Sequence, residues 1–445
     1  CQKFIKKWKQ EGISMFFGIV LFGTLVFFLV FGTPIAVAVG LATILGMLTA
    51  GDVNALPAIT QKMFTSLDSF PLLALPLFTL SGELMEISGI SKRLVKFMRM
   101  CFRKLPAASA CITTISSAFF GAISGSAPAT AAAIGGIMTE SMKELGYKGE
   151  DAAAINASSA SLGIIIPPSI PMVVFATTAS VSVGSLFMGG VIPGILMAIC
   201  FCFMHAFRYG KTEISSVEKL SFKEAIATFW EAIFALGMPV IILGGIYGGF
   251  FTPTEAAAVA CVYSLVVGCL IYRTLTWKQI WKSMCEISIR ISSMLTIVCL
   301  ATAMAWFVSS SGLAQRISAA VLAGFSSKFA ILTIINILLF ALGCVIDPTS
   351  IILLTCPIII PITKSLGMST VAVGVFMIMN IAVGMVPPPF AGTLYIASQI
   401  AGEKSIGPTT KKLMPYIALM FIVTLVVAYV PAISITLPKI LGMTI

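Results

Sequence analysis

Gly163-Ile164-Ile165-Ile166-Pro167-Pro168-Ser169 interrupts an apolar segment that would otherwise read as one unbroken membrane helix. Proline removes a backbone donor and clashes with the preceding turn, so a helix opens there. The same interruption returns 221 residues later as Gly384-Met385-Val386-Pro387-Pro388-Pro389. Upstream of each, at that offset, stand Lys143-Glu144-Leu145-Gly146 and Lys364-Ser365-Leu366-Gly367. Paired broken hydrophobic segments in two halves mark a duplicated membrane unit. They also point to the binding site of a secondary transporter.

Composition agrees. Of 445 residues, 58% are hydrophobic and only 10% charged, against about 25% charged in soluble domains. Several apolar runs between Phe16 and Val430 reach the roughly 20 residues that cross a bilayer. The net charge of +11 suits cytoplasmic loops of a membrane protein. No basic stripe with interleaved aromatics suggests nucleic acid. The eleven cysteines lie mostly inside apolar runs without a CxxC pair, so they read as buried thiols. Lys3, Lys6, Lys7 and Lys9 precede a full-length apolar segment, and no cleaved leader is visible.

The repeat spreads outward from the proline breaks. Thr33-Pro34 recurs as Thr252-Pro253, Ser88-Gly89 as Ser311-Gly312, and Pro193 as Pro415, at offsets between 219 and 223. The expected plan is a tail or linker over 1–14, a first repeat over 15–206, a cytoplasmic linker over 207–231, a second repeat over 232–430 and a tail over 431–445. Each repeat offers two spans about a Thr-Pro turn, a third span, a connecting segment, a helical hairpin (107–146; 329–367), a proline-broken span (150–183; 370–398) and a closing span (184–206; 412–430).

The hairpin arms flank Ser124-Gly125-Ser126-Ala127-Pro128-Ala129-Thr130 in one half and Ile346-Asp347-Pro348-Thr349-Ser350 in the other. At about 1.5 Å per residue such arms are too short for a core of about 30 Å. Re-entrant loops are therefore expected, with irregular backbone satisfied by protein or a wet cavity. Each half then crosses five times, and an odd number inverts the second half. With the N-terminus outside, eighteen basic residues fall inside and nine outside, as the positive-inside rule prefers. The predicted fold is an all-α polytopic membrane protein of two inverted repeats, each with five spans, a re-entrant hairpin and a proline-broken helix. Between Ile90 and Lys104, six basic residues alternate with apolar ones, which predicts a helix lying along the cytoplasmic interface.

Helix breaks free carbonyls and expose half-helix ends. The carbonyls of Gly163–Ser169, with the hydroxyls of Ser124 and Ser126, can bind a hard cation. The matching set is Gly384 to Pro389 with Asp347, Thr349 and Ser350. Oxygen-only ligands of low net charge suit Na⁺, whereas transition metals seek His or Cys. Thr130, Ser169, Thr349, Ser350, Asn380 and Thr393 form the neighbourhood for an anionic substrate. Asp347 is the sharpest residue, a carboxylate within a long apolar stretch, though Asp before Pro also starts a helix well. Glu255 after Thr252-Pro253-Thr254 reads as a capping box, and Glu286 with Arg290 as an intrahelical ion pair. His205 ends a span near Arg208 and reads as interfacial.

Together with Ser66-Leu67-Asp68-Ser69-Phe70-Pro71-Leu72-Leu73-Ala74-Leu75-Pro76-Leu77-Phe78, these motifs resemble the large membrane subunit of tripartite ATP-independent periplasmic (TRAP) transporters, from residue 15 to about 430. The resemblance implies a small four-helix membrane subunit and a soluble extracytoplasmic binding protein as partners, in the bacterial cytoplasmic membrane. It implies Na⁺-coupled uptake of an organic acid anion, such as sialic acid or a C4-dicarboxylate, by an elevator movement. It suggests one Na⁺ site at Ser124, Ser126, Gly163, Ile166 and Pro168 and another near Asp347, Gly384 and Pro388. A stand-alone Na⁺-coupled di- or tricarboxylate symporter would share the hairpins and broken helices and need no binding protein. A membrane enzyme has little to work with: one histidine, no HExxH and no paired intramembrane aspartates.

Overall fold

A computed structural model describes residues 2–51, 55–211, 222–325 and 327–445, with side chains described from Phe16 onward and not for Phe222. Among the described residues the chain is helical, with no strand. α1 (Gln2–Val30) and α2 (Ile35–Ala50) flank the Thr33-Pro34 turn. α3 (Leu56–Leu67) leads through a 3₁₀ turn at Phe70–Leu73 into α4 (Ala74–Ile87), followed by α5 (Ile90–Phe102). α6 (Ala108–Ser124) and α7 (Ala127–Glu144) form the first hairpin. α8 (Gly149–Ala160), α9 (Leu162–Ile165) and α10 (Ile170–Ala179) are pieces of one interrupted helix, and α11 (Val183–Tyr209) follows.

The second half opens with α12 (Phe222–Tyr247), then α13 (Pro253–Val266), prolonged by a π-helical turn at Val267–Ile271. α14 (Trp277–Ser310) and α15 (Leu313–Gly324) precede the second hairpin, α16 (Lys328–Gly343) and α17 (Pro348–Ser365). α18 (Thr370–Gly384) and α19 (Gly392–Ile400) flank the second break, and α20 (Ile406–Tyr429) and α21 (Ala432–Ile440) complete the chain.

Local chemistry sets the boundaries. Thr252 caps α13 with the expected box: its hydroxyl accepts from Glu255 N–H at 3.3 Å, and Glu255 Oε2 accepts from Thr252 N–H at 2.7 Å. Thr276 and Gln279 build the same device at α14. Gly89 (φ +75°) and Gly312 (φ +74°) turn the chain into α5 and α15, a left-handed backbone that glycine adopts without steric cost.

Eight helices, among the described residues, are long and apolar enough to cross a membrane, and they include Gly149–Ala179 and Val183–Tyr209. α17 is one of them at 18 residues, whereas α6 and α16 fall short. Three features differ from the sequence reading, the first being that α17, an arm expected to be too short, reaches spanning length. α3 is a separate helix ahead of the third span. α1 and α21 carry helix through residues 2–14 and 432–440, where tails are expected. Residues 212–221 of the expected linker lie outside the described residues.

α1, α2, α3, α4, α12, α13 and α14 pack on one another, and α6 to α11 pack with α16 to α20; the two groups meet where α14 packs on α17 and α4 on α6, with α5 between α12 and α6. The centre of the second group is α8 and α18, which are buried along almost their whole lengths. Alanine, glycine and serine in α8 let neighbouring backbones approach closely, the usual solution for helix packing in lipid. Each interrupted helix is shared between halves: α10 packs on α17, and α19 packs on α7 and α8.

α5 is amphipathic as its pattern predicts. Ile90, Leu94, Val95 and Met98 are buried, and Lys92, Lys96 and Arg99 are exposed. It is fastened to α12 and α13: Lys96 pairs with Glu231 at 2.9 Å, and the Arg93 guanidinium lies 3.7 Å from the centroid of the Tyr272 ring.

Candidate functional site

The first hairpin turns in two residues. α7 begins at Ala127-Pro128, with proline in the first turn, where its missing N–H costs nothing. Ser126 is the N-cap, its hydroxyl accepting from Ala129 N–H at 3.5 Å. The seven-residue tip expected from sequence thus shortens to Gly125 and Ser126.

This tip closes directly on the broken helix. Ile170 N–H donates to Gly125 O at 3.3 Å. A Cβ on Gly125 would lie 2.9 Å from Pro168 O, and one on Gly163 would lie 2.6 Å from Thr130 Oγ1 and 2.8 Å from Ser126 O. Only glycine permits this approach. Thr130 donates its hydroxyl to Ser126 O at 2.8 Å and lies 3.2 Å from Ser124 Oγ. Ser124 Oγ is also 3.4 Å from Ser126 O. Ser124 and Thr130 are buried. The structure therefore gathers Ser124, Ser126, Thr130, Gly163 and Pro168 into one small region of hydroxyl and carbonyl oxygen. Ile166 is the extended residue that ends α9, packed on Gly194 of α11. Ser169 turns back, donating to Ile164 O at 2.6 Å. The Pro167-Pro168 and Pro388-Pro389 peptides are cis. This oxygen set, which includes no carboxylate, fits a hard monovalent cation better than a transition metal.

The second hairpin repeats the closure with different contacts. Phe390 N–H donates to Cys344 O at 2.7 Å. A Cβ on Gly343 would lie 2.8 Å from Gly384 Cα. Gly384 thus meets the α16 arm, four residues before Asp347, whereas Gly163 meets the tip of its own hairpin. Asp347 is the N-cap of α17: Oδ2 accepts from Ser350 N–H at 3.0 Å and Oδ1 from the Ser350 hydroxyl at 2.5 Å. Asp347, Thr349 and Ser350 share one turn, with Asp347 half-buried and the other two buried. Pro388 sits in the link between α18 and α19.

Two substrate candidates stand apart from the tips. Asn380 donates to Phe376 O at 3.2 Å and to Asn336 Oδ1 on α16, leaving its own Oδ1 buried without a partner. Thr393 is wholly buried in α19 with an unpartnered hydroxyl.

Two sequence expectations are corrected here. His205 is not interfacial; it is completely buried. One ring nitrogen, Nε2, lies 2.8 Å from Thr114 Oγ1 on α6, and the other, Nδ1, lies 2.9 Å from the Tyr416 hydroxyl on α20. Thr114 continues to Ser159 on α8 at 2.8 Å. Nearby, Asp151 accepts from the Tyr209 hydroxyl at 2.8 Å and pairs with Lys412 at 3.2 Å. A signal existed: Phe201, His205 and Tyr209 fall four apart on one helix face, among residues that pack. Glu286 pairs with Lys282 at 3.7 Å, and Arg290 reaches across to Glu83 at 3.8 Å. The expected Glu286–Arg290 pair does not form because both partners have nearer alternatives.

The chain is 38% identical over 416 residues to the isethionate TRAP transporter permease protein DctMQ of Oleidesulfovibrio alaskensis, covering 93% of this chain and 65% of that one. It therefore spans just under two thirds of that relative. It is 33% identical to the C4-dicarboxylate TRAP transporter large permease protein DctM of Rhodobacter capsulatus, over 96% of this chain and 99% of that one. It is also 33% identical to the sialic acid TRAP transporter large permease protein SiaM of Vibrio cholerae, over 85% and 88%. In fold it is similar to the YdaH transporter of Alcanivorax borkumensis, with a TM-score of 0.64 at 14% identity over 85% of this chain and 88% of that one. Residues 22–433 match the family described as tripartite ATP-independent periplasmic transporter, DctM component, and the chain belongs to that family as a large membrane subunit.

Proposed function

We propose that this chain is the membrane path of a Na⁺-coupled importer for an organic acid anion, handed over by an extracytoplasmic binding protein. The observation that carries the reading is the closure of a hydroxyl-bearing hairpin tip on a proline-broken helix, with Ser124, Ser126 and Thr130 against Gly163 and Pro168. Irregular backbone at membrane depth is tolerated where it lines a site. Na⁺ bound by these oxygens, and a second one near Asp347, Gly384 and Pro388, would hold each tip against its broken helix. The anion would then meet half-helix N-termini at α10, α17 and α19, beside Thr130, Ser169, Thr349 and Ser350.

Binding of cation and anion at one closure couples them, because each favours the closed arrangement that the other needs. The packing of α6–α11 with α16–α20 supports a movement of that group, with α15 and α21, against α1–α4 and α12–α14, an elevator built from two inverted repeats (15–206 and 232–430). Partners in this reading are a small four-helix membrane subunit and the binding protein, in the bacterial cytoplasmic membrane. The names of relatives suggest isethionate, C4-dicarboxylates and sialic acid as substrates to try.

Vesicles holding the chain with its small subunit decide it. Uptake of radiolabelled anion should need both an inward Na⁺ gradient and the loaded binding protein. Full uptake by this chain alone, in Na⁺-free buffer with a proton gradient, would overturn the reading in favour of a stand-alone carrier.

A further inference from the structure

A cavity of about 640 Å³ is lined by α3 and α14 on one side and by α10 and α17 on the other, beside the direct packing of α14 on α17. It lies away from both hairpin tips. On α17 its wall starts at Leu353, about 9 Å along the helix from Asp347. On α10 it starts at Val174, about 8 Å from Ser169. Its volume is that of sites that hold small organic molecules.

The lining has a definite chemistry. Among the described residues, Lys62 is its one charged side chain and no carboxylate lines it. Lys62 is exposed and, among the described residues, pairs with no acid. Trp306 adds an indole N–H, a donor only. Thr177 and Thr178 donate back to Val173 O and Val174 O, each at 2.8 Å, so they can only accept further. Thr65, Ser69, Thr302 and Ser309 also line the cavity, and their hydroxyls are available to donate. A largely apolar crevice, with Leu353, Cys356, Pro357, Ile360 and Pro361 forming its α17 wall, that carries one ammonium, an indole donor, four hydroxyls free to donate and, among the described residues, no acid selects against cations and suits an organic anion with an apolar body.

We propose that this crevice is a receiving site for the organic anion, occupied between release from the binding protein and arrival at the hairpin tips, with Lys62 supplying the attracting charge. The proposal rests on the transport reading for its purpose, since the crevice opens on the side that the charge distribution makes extracytoplasmic. Its position between the two helix groups gives it a further property. An anion seated there touches α3 and α14 from one group and α10 and α17 from the other, so relative movement of the groups would reshape the site and release it. Weak binding is what a transit site requires: held tightly, the anion would not leave.

The test needs no transport. Ser309→Cys places a reporter thiol at the rim of the full chain, in lipid nanodiscs with its small subunit. Its rates with an anionic sulfonatoethyl methanethiosulfonate and a cationic trimethylammonioethyl one are read by mass spectrometry of that peptide. The ratio, referred to free cysteine, should favour the anion, and Lys62→Gln should lower it by about threefold or more while Lys62→Arg keeps it. Millimolar isethionate, succinate or sialic acid should slow labelling where equal ionic strength of chloride does not. An unchanged ratio in Lys62→Gln, equal protection by chloride, or a thiol that neither reagent reaches would each overturn the receiving site. Those outcomes leave Na⁺-driven uptake untouched. Conversely, loss of Na⁺ dependence would remove the transport reading while a charge-selective crevice still stood.

Discussion

A side chain on Gly121 would begin 2.6 Å from the α-carbon of Gly163, so the inner arm of the first hairpin and the broken helix meet backbone to backbone. Nothing flexible lies between them to absorb an added methyl group. Gly121→Ala should therefore separate the tip from the break. We expect a loss of about 1–3 kcal/mol, the usual cost of overpacking, and a fall in detergent melting temperature together with uptake. Gly136→Ala is the matched control, because a Cβ there meets nothing within 4 Å. A melting curve for Gly121→Ala that overlays wild type would show that the contact is loose.

Asp347→Asn separates charge from capping. Asparagine also caps well and keeps an acceptor for Ser350, so folding should be normal. The negative charge, which a cation in a low-dielectric site requires, is gone. The Na⁺ concentration for half-maximal uptake should rise by about tenfold, equivalent to about 1.4 kcal/mol. Asp347→Ala should add a stability loss of about 1 kcal/mol from the missing cap. Wild-type Na⁺ dependence in the Asn variant would leave Asp347 with its N-cap role alone.

Ser124→Ala with Ser126→Ala removes two hydroxyl oxygens from the first tip while Thr130 still donates to Ser126 O. Uptake should need more Na⁺, with the melting temperature lowered by only the small N-cap term at Ser126. A Na⁺ titration identical to wild type would take both hydroxyls out of the site and leave the carbonyls of Ser126 and Pro168 as its oxygens.

Tyr416→Phe strands Nδ1 of His205 in a completely buried position. Leaving one buried partner unsatisfied costs about 1–3 kcal/mol, so thermal stability should fall although the ring volume is kept. His205→Leu with Tyr416→Phe should recover part of that loss, since removing both partners leaves no orphan. An additive double variant in thermal unfolding would mean that the two side chains do not depend on each other.

The proline breaks, the hairpin tips and the amphipathic α5 were legible because each is written locally. Pro167-Pro168 and Pro387-Pro388-Pro389 forbid continuous helix, and Asp347-Pro348 announces a helix start. The capping box at Thr252 is equally local. What the sequence hid depends on neighbours distant in the chain. His205 looked like a span-end residue by its nearness to Arg208, and only the placement of Thr114 and Tyr416 makes it a core residue. Arg290 chose Glu83 over Glu286 because α4 runs beside α14. The crevice around Lys62 has walls from four helices that no pattern joins. α3 lies between the expected second and third spans, where Leu56-Pro57 offers a helix start that apolar length alone does not mark.

The sharing of broken helices between halves bears on how the protein is made. α7 leaves the ribosome long before α19, yet α19 is the helix that covers it, and α10 likewise waits for α17. The first hairpin must therefore persist in the membrane with its packing unfinished until nearly the whole chain has been synthesised. A truncated product ending after α11 would leave α7 and α8 without α19 and α10 without α17, a natural substrate for membrane quality control. Two separately expressed halves, by contrast, carry every surface they need to find each other.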